Sequence, residues 1–196
     1  NTLLSADSIK SKRYKVSQFV LKNSYDNDTL RVSTAFKGGK QQEDTYLLNL
    51  FHTINQKKQS VVGFKKSTVD FKSYQWVINE SSELENTVVF GKTLDKFVLN
   101  NISATHANGF VKLNGVVKDS TYKNLQLSFK DVPVDKITPT IDNLHFKGSL
   151  NGVIDFVQEK QWYKPTASIN INRFSINDYD LGRFDLDIKG DPFLKN

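Results

Sequence analysis

The chain of 196 residues has no cysteine and no methionine. Without cysteine there is no disulfide framework, no thiolate zinc site and no cysteine nucleophile. The lack is compatible with a periplasmic setting but does not specify it. No apolar run approaches the roughly 18–20 residues of a membrane-spanning helix. Prolines number only four and glycines ten. No stretch is rich enough in Pro, Gly or Ser to read as a linker, so one continuous domain over 1–196 is expected. The start, Asn1-Thr2-Leu3-Leu4, has neither the charged nor the apolar segment of a signal peptide, and is expected to be the beginning of an excised piece of a longer protein.

Recognisable chemistry is scarce as well. His52, His106 and His145 are far apart, and none has a second ligand at metal spacing. Gly38-Gly39-Lys40 lacks the remaining spacing of a phosphate loop, and there is no Gly-x-Ser-x-Gly elbow. Asp185 and Asp187 lie two apart, on the solvent side of a strand. The sequence therefore names no catalytic residue, no metal ligand and no cofactor, and an enzyme is not expected. The net charge is +6. Its densest clusters are Lys10, Lys12, Arg13 and Lys15, then Lys57-Lys58 and Lys65-Lys66. No stacking platform or recognition helix accompanies them, so no nucleic-acid partner is expected. Anionic headgroups are the other partner such charge can attract.

What the chain does have is alternation. From 144 to 156, Leu144, Phe146, Gly148, Leu150, Gly152, Ile154 and Phe156 fall on every second position. Only a strand has a two-residue side-chain period. Phe (14 residues), Ile, Val, Thr and Tyr dominate the periodic segments, an all-β composition. Phase slips of one residue, between Val16 and Phe19, at Asn100-Asn101 and before Phe174, predict β-bulges that bend the sheet. Asn23 to Asp28 and Asn108-Gly109 predict turns, as do Asn79 to Ser82 and Asp178 to Asp180. Val134 to Asp142, with Pro133 and Pro139, predicts a short turn or a single helical turn, and Gln158 to Lys164 a connection. Over 43–55 the pattern changes: Tyr46, Leu47, Leu50, Phe51 and Ile54 recur at helical spacing behind Asp44 as a cap. A three-turn helix is expected there, covering one end of the oily face.

The segments Phe110 to Val117, Asn124 to Val132, Leu144 to Gly152, Lys164 to Ile169 and Asp180 to Gly190 resemble the repeating texture of TamB-type proteins of the AsmA-like family, with strands ending in Gly and a Leu-Gly-x-Phe-x-Leu step at 181–186. Tyr74 to Asn79 resembles the Trp-containing strand upstream of these repeats in TamB proteins of Bacteroidetes type. The resemblance covers roughly 64–191; residues 1–60 have no equally clear match. It implies a β-taco, a long curved sheet folded to a U-shaped groove with an apolar interior. It also implies a periplasmic location within a parent anchored in the inner membrane outside this fragment and docked to an Omp85-type outer-membrane barrel. The implied role is conducting phospholipids to the outer membrane or assisting outer-membrane protein assembly. The groove would be lined by Leu113, Leu125, Leu127, Phe129, Leu144, Phe146, Leu150, Ile154, Phe156, Ile169, Ile171, Phe184, Leu186 and Ile188, in contact with phospholipid acyl chains. The alternative is a closed β-sandwich for adhesion or carbohydrate binding, with Trp76, Trp162 and Tyr163 as stacking aromatics.

Overall fold

Alternation of apolar and polar residues yields strands along almost the whole chain. The computed structural model describes residues 1–10, 15–39, 42–80, 86–138, 141, 143–177, 179–190 and 194–195. Lys12, Arg13, Tyr14, Lys40, Ser81, Ser82, Pro139, Asp142 and Asp178, on which sequence expectations rest, lie outside the described residues. The protein is all-β and its strand pairing antiparallel. The strands are β1 (Thr2–Lys10), β2 (Lys15–Asp26), β3 (Thr29–Gly38), β4 (Asp44–Ile54), β5 (Ser60–Phe64), β6 (Ser67–Phe71), β7 (Tyr74–Ile78), β8 (Thr87–Phe90), β9 (Lys96–His106), β10 (Gly109–Lys118) and β11 (Tyr122–Pro133). One helical turn, α1 (Val134–Ile137), precedes β12 (Phe146–Glu159), β13 (Trp162–Ile176), β14 (Tyr179–Lys189) and β15 (Leu194–Lys195).

The chain divides into two compact units, 1–94 with 99–106, and 95–98 with 107–196. In the first, the strands neighbour one another in the order β1-β2-β3-β4-β5-β8-β9, with β6 paired to β4 and β7, and β7 to β9. In the second, residues 96–98 of β9 lead into the order β10-β11-β12-β13-β14, and β15 pairs with β13.

The helix expected over 43–55 is not there. Residues 44–54 form β4, paired with β3 on one side and with β5 and β6 on the other. Tyr46, Leu48, Leu50 and His52 face one side of the sheet, and Leu47, Asn49, Phe51 and Thr53 the other. A strand with apolar residues on both faces fills positions 46, 47, 50, 51 and 54 whatever its period, so it mimics a helix in sequence. Among the described residues the one helical turn lies at 134–137, within the stretch where a turn or single helical turn is expected, after Pro133 has ended the β11 ladder. Several strand limits also differ from expectation: the turn expected over 23–28 narrows to Asn27 and Asp28, because Asn23 to Asp26 pair with Thr29 to Val32, and Tyr179 and Asp180, expected in a turn, already belong to β14. Leu144 and His145 precede β12, and Leu144 only bridges to Ile141. The connection expected over 158–164 shrinks to a tight turn, because Glu159 pairs with Trp162 and the ladder continues.

Each phase slip coincides with a left-handed residue, and two coincide with shifts of register. Between Ser17 and Val20 the register of β2 against β3 shifts, with Gln18 at φ 52°. Asn101 has φ 50°. On β13 the shift lies between Ile171 and Phe174, with Arg173 at φ 50°. A further shift lies between Phe129 and Val132, with Asp131 at φ 47°. In each case apolar residues three apart, instead of two, flank a left-handed residue, so the extra residue keeps the apolar side chains on one face. The β2–β3 turn is tight, with Asn27 and Asp28 at φ 47° and 55°.

Candidate functional site

The second unit carries the most extensive surface built from the expected site residues. Directly opposed residues of antiparallel strands share a face, so the pairing register assembles them into rows. One row runs Leu113, Leu127, Ile154, Ala167, Ile188 across β10 to β14. The next runs Val111, Phe129, Gly152, Ile169, Leu186. On one side of these lie Gly115, Leu125, Phe156 and Pro165; on the other lie Val132, Leu150, Ile171 and Phe184. Beyond the bulge, Phe146 pairs with Ile176, and Phe174 opposes Gly182. Three rings meet at this end: Phe174 is 6.5 Å from Phe146, in parallel, and 5.7 Å from Phe184.

Of the fourteen residues expected to line a groove, thirteen share this face. Leu144 is set apart, 39% exposed in the segment before β12. The face also includes Val111, Val117, Val132, Pro165, Ala167, Phe174 and Ile176, which were not among the expected lining residues. Val132 was hidden by the Asp131 bulge, whose only sequence signal is the three-residue spacing from Phe129. The far end is closed by polar side chains: Lys123 pairs with Gln158, and Gln158 with Tyr163. The Lys123 ammonium donates to Gln158 Oε1 at 2.6 Å, while Gln158 Nε2 donates to the carbonyls of Ser120 and Lys160 at 3.0 Å.

Cover over this face is uneven, half-buried along β10 to β13 and exposed along β14. Within the unit, α1 packs against β11 and β12; beside it Val132 and Leu150 are buried. Away from α1, Phe184, Leu186 and Ile188 are 41%, 37% and 42% exposed. The opposite face is wet. Gln126 Nε2 donates to Asp155 at 2.9 Å, and Arg183 Nε to both Asp185 oxygens at 2.9 Å. The Asp185 carboxylate raises the Arg183 pKa above its usual value.

Glycines on the apolar face serve the backbone. Gly152 has φ 128°, and a Cβ there would run into the Ser168 carbonyl and sit 2.7 Å from Ile169 Cα. Close strand approach, not room for a ligand, requires glycine at that position.

His145 directly precedes Phe146, its backbone N–H donating to Asn177 Oδ1 at 2.9 Å, while His52 and His106 belong to the first unit. His52 Nε2 is 3.1 Å from Ser60 Oγ; His106 Nδ1 is 2.6 Å from the Gln75 carbonyl, and its ring stacks on Tyr74 at 3.8 Å. Among the described residues no group of three or more His, Cys, Asp or Glu side chains could hold a metal ion. Among the described residues no helix is long and apolar enough to cross a membrane. Compared with protein-family models, curated proteins and solved structures, the chain matches none.

Proposed function

We propose that the apolar face of β10–β14 holds lipid acyl chains, and that the chain is a segment of a TamB-like, periplasm-spanning lipid conduit. The observation that carries this reading is a register-aligned apolar surface five strands wide, left partly exposed along β14. From Phe146 to Phe156 it is about 33 Å long and from β10 to β14 about 19 Å wide, at about 3.3 Å per residue and about 4.8 Å per strand. One leaflet of a bilayer's hydrocarbon is only about 15 Å thick, so an acyl chain fits along the face at full length. The face offers no discrete polar ligands away from its ends; it acts as a slippery wall. The β-taco geometry, the inner-membrane anchor of the parent and its Omp85-type partner come from the resemblance alone. The sandwich alternative has less support. A sugar-stacking platform needs several open rings; of the three candidates Trp76 is 8% exposed with Tyr74 against it at 5.1 Å, Tyr163 is half-buried, and Trp162 alone is exposed, at 38%.

Leu186→Asp tests the reading better than Leu150→Asp. Leu150 is buried, so charge there unfolds the domain as readily as it blocks lipid. Leu186 is more than a third exposed. Phospholipid that co-purifies with the chain, measured by mass spectrometry, should fall severalfold in Leu186→Asp and stay unchanged in Asp187→Asn on the wet face. Equal lipid in Leu186→Asp and the parent sequence, with both folded by thermal melting, sinks the proposal.

A further inference from the structure

A second concave surface lies on the first unit; its wall is largely apolar but carries three cationic side chains. β1 to β4, with Lys65 just past β5, line an open depression of about 730 Å³, whose wall includes Leu3, Lys22, Arg31, Ser33 and Asn49. The pairing register explains why these meet. Leu3 opposes Lys22, Lys22 opposes Ser33, and Ser33 opposes Asn49. Lys65 continues this row, its backbone N–H donating to the Asn49 carbonyl at 2.8 Å. In the adjacent row Arg31 opposes Phe51, which opposes Gly63. A Cβ at Gly63 would stand 2.6 Å from the Phe51 ring. Phe51 therefore packs against Gly63, and the Lys65 ammonium lies 5.2 Å from its ring centroid. These side chains all project from the same face of their strands, the face opposite Leu21, Val32 and Leu50.

The lining holds three cationic side chains and no carboxylate. Among the described residues, one ion pair touches these cations: Asp26 stands 3.8 Å from Arg31 Nη1, with both groups at least half exposed. A pair that long and that wet is weak, so the Arg31 fork remains available. Ser33 adds a hydroxyl donor. We infer that this basin binds a phosphate-bearing anion, through Lys22, Arg31 and Lys65. A guanidinium offers paired donors to phosphate oxygens, and flanking ammonium groups supply charge without geometric demand. The inference goes beyond the acyl-chain proposal and is independent of it, since it rests on other strands, polar side chains and a different unit.

Phosphate could reach the basin free or as a lipid headgroup. The test uses the whole chain, 15N-labelled, titrated separately with inorganic phosphate and with dihexanoyl phosphatidylglycerol, against sodium chloride at matched ionic strength. Saturable shifts of the amides around Lys22, Arg31, Asn49 and Lys65 are expected with phosphate-bearing probes and not with chloride. Shifts with both probes, or with inorganic phosphate alone, support a site for the phosphate group itself; shifts with the lipid alone support a headgroup site. No saturable shift with either, or equal shifts with chloride, overturns the inference. The Lys22→Gln/Arg31→Gln double variant should weaken binding at least about tenfold and leave the thermal midpoint unchanged, because surface substitutions rarely move stability. Retained affinity in a folded double variant also overturns it. Should that variant fail to fold, the shift map of the parent sequence still decides the matter.

Discussion

Single residues decide how closely these strands approach. Gly152 combines a φ of 128° with backbone where a Cβ would go. Gly152→Ala should therefore cost at least about 2 kcal/mol, read from denaturant melts, since steric overlap adds to a strained backbone worth about 1–3 kcal/mol. Gly182, at φ 75° with open space around it, is the control: Gly182→Ala should cost about 1 kcal/mol, the backbone strain alone. At the β10–β11 turn, the Thr121 hydroxyl and backbone N–H both donate to Asp119 Oδ1 at 2.6 Å. These bonds favour the carboxylate and lower its pKa below the ordinary 3.8. A depressed folded-state value stabilises the turn above the unfolded pKa of about 3.9, and that contribution is lost as pH falls through the folded pKa. A carboxyl NMR titration should place the Asp119 midpoint below the ordinary aspartate value.

Elements are shaped by their bulges and their edges. The left-handed residue at the β13 bulge is Arg173, which is exposed and at φ 50°. A non-glycine residue there costs about 1–2 kcal/mol, and glycine regains part of that while adding unfolded-state entropy. Arg173→Gly should thus stabilise by up to about 1 kcal/mol, and the β-branched Arg173→Val should destabilise; paired chemical melts check both. At the edge, β14 is last in the strand order and its apolar side chains are half-exposed. Unpaired backbone groups beside apolar side chains invite strand addition. Sedimentation should show association that grows with protein concentration, and Ile188→Lys should reduce it. A monomer across a wide concentration range would contradict this expectation.

On the scale of the whole molecule, protection against exchange should follow strand order. Amides of β11, β12 and β13, each flanked by ladders on both sides, should exchange most slowly; those of β1 and β14, at the ends of the order, should exchange fastest. If the apolar face binds acyl chains, added phospholipid should slow exchange in β14 and raise the melting temperature by mass action. Amide exchange read by mass spectrometry, with and without lipid, checks both expectations.

The all-β class was legible in the sequence because side-chain alternation is a local property that survives in one dimension. So were the phase slips at Gln18, Asn101 and Arg173, since an extra residue must shift the apolar phase if the oily face is to stay continuous; the register shifts at Asp131 and between Phe174 and Ser175 were not. Tertiary pairing decided the rest. β4 reads as a helix because both its faces carry apolar residues, and only its ladders to β3, β5 and β6 fix the two-residue period. Leu144 has the right phase for the oily face, yet the β12 ladder starts two residues later and leaves it outside. The basin around Lys22, Arg31 and Lys65 had no signature in sequence order beyond separate cations: the register across β2 to β5 brings together residues up to 43 positions apart. Alternation says which way a side chain points along its own strand; hydrogen bonds between strands choose its neighbours, and sites on a sheet are made of neighbours.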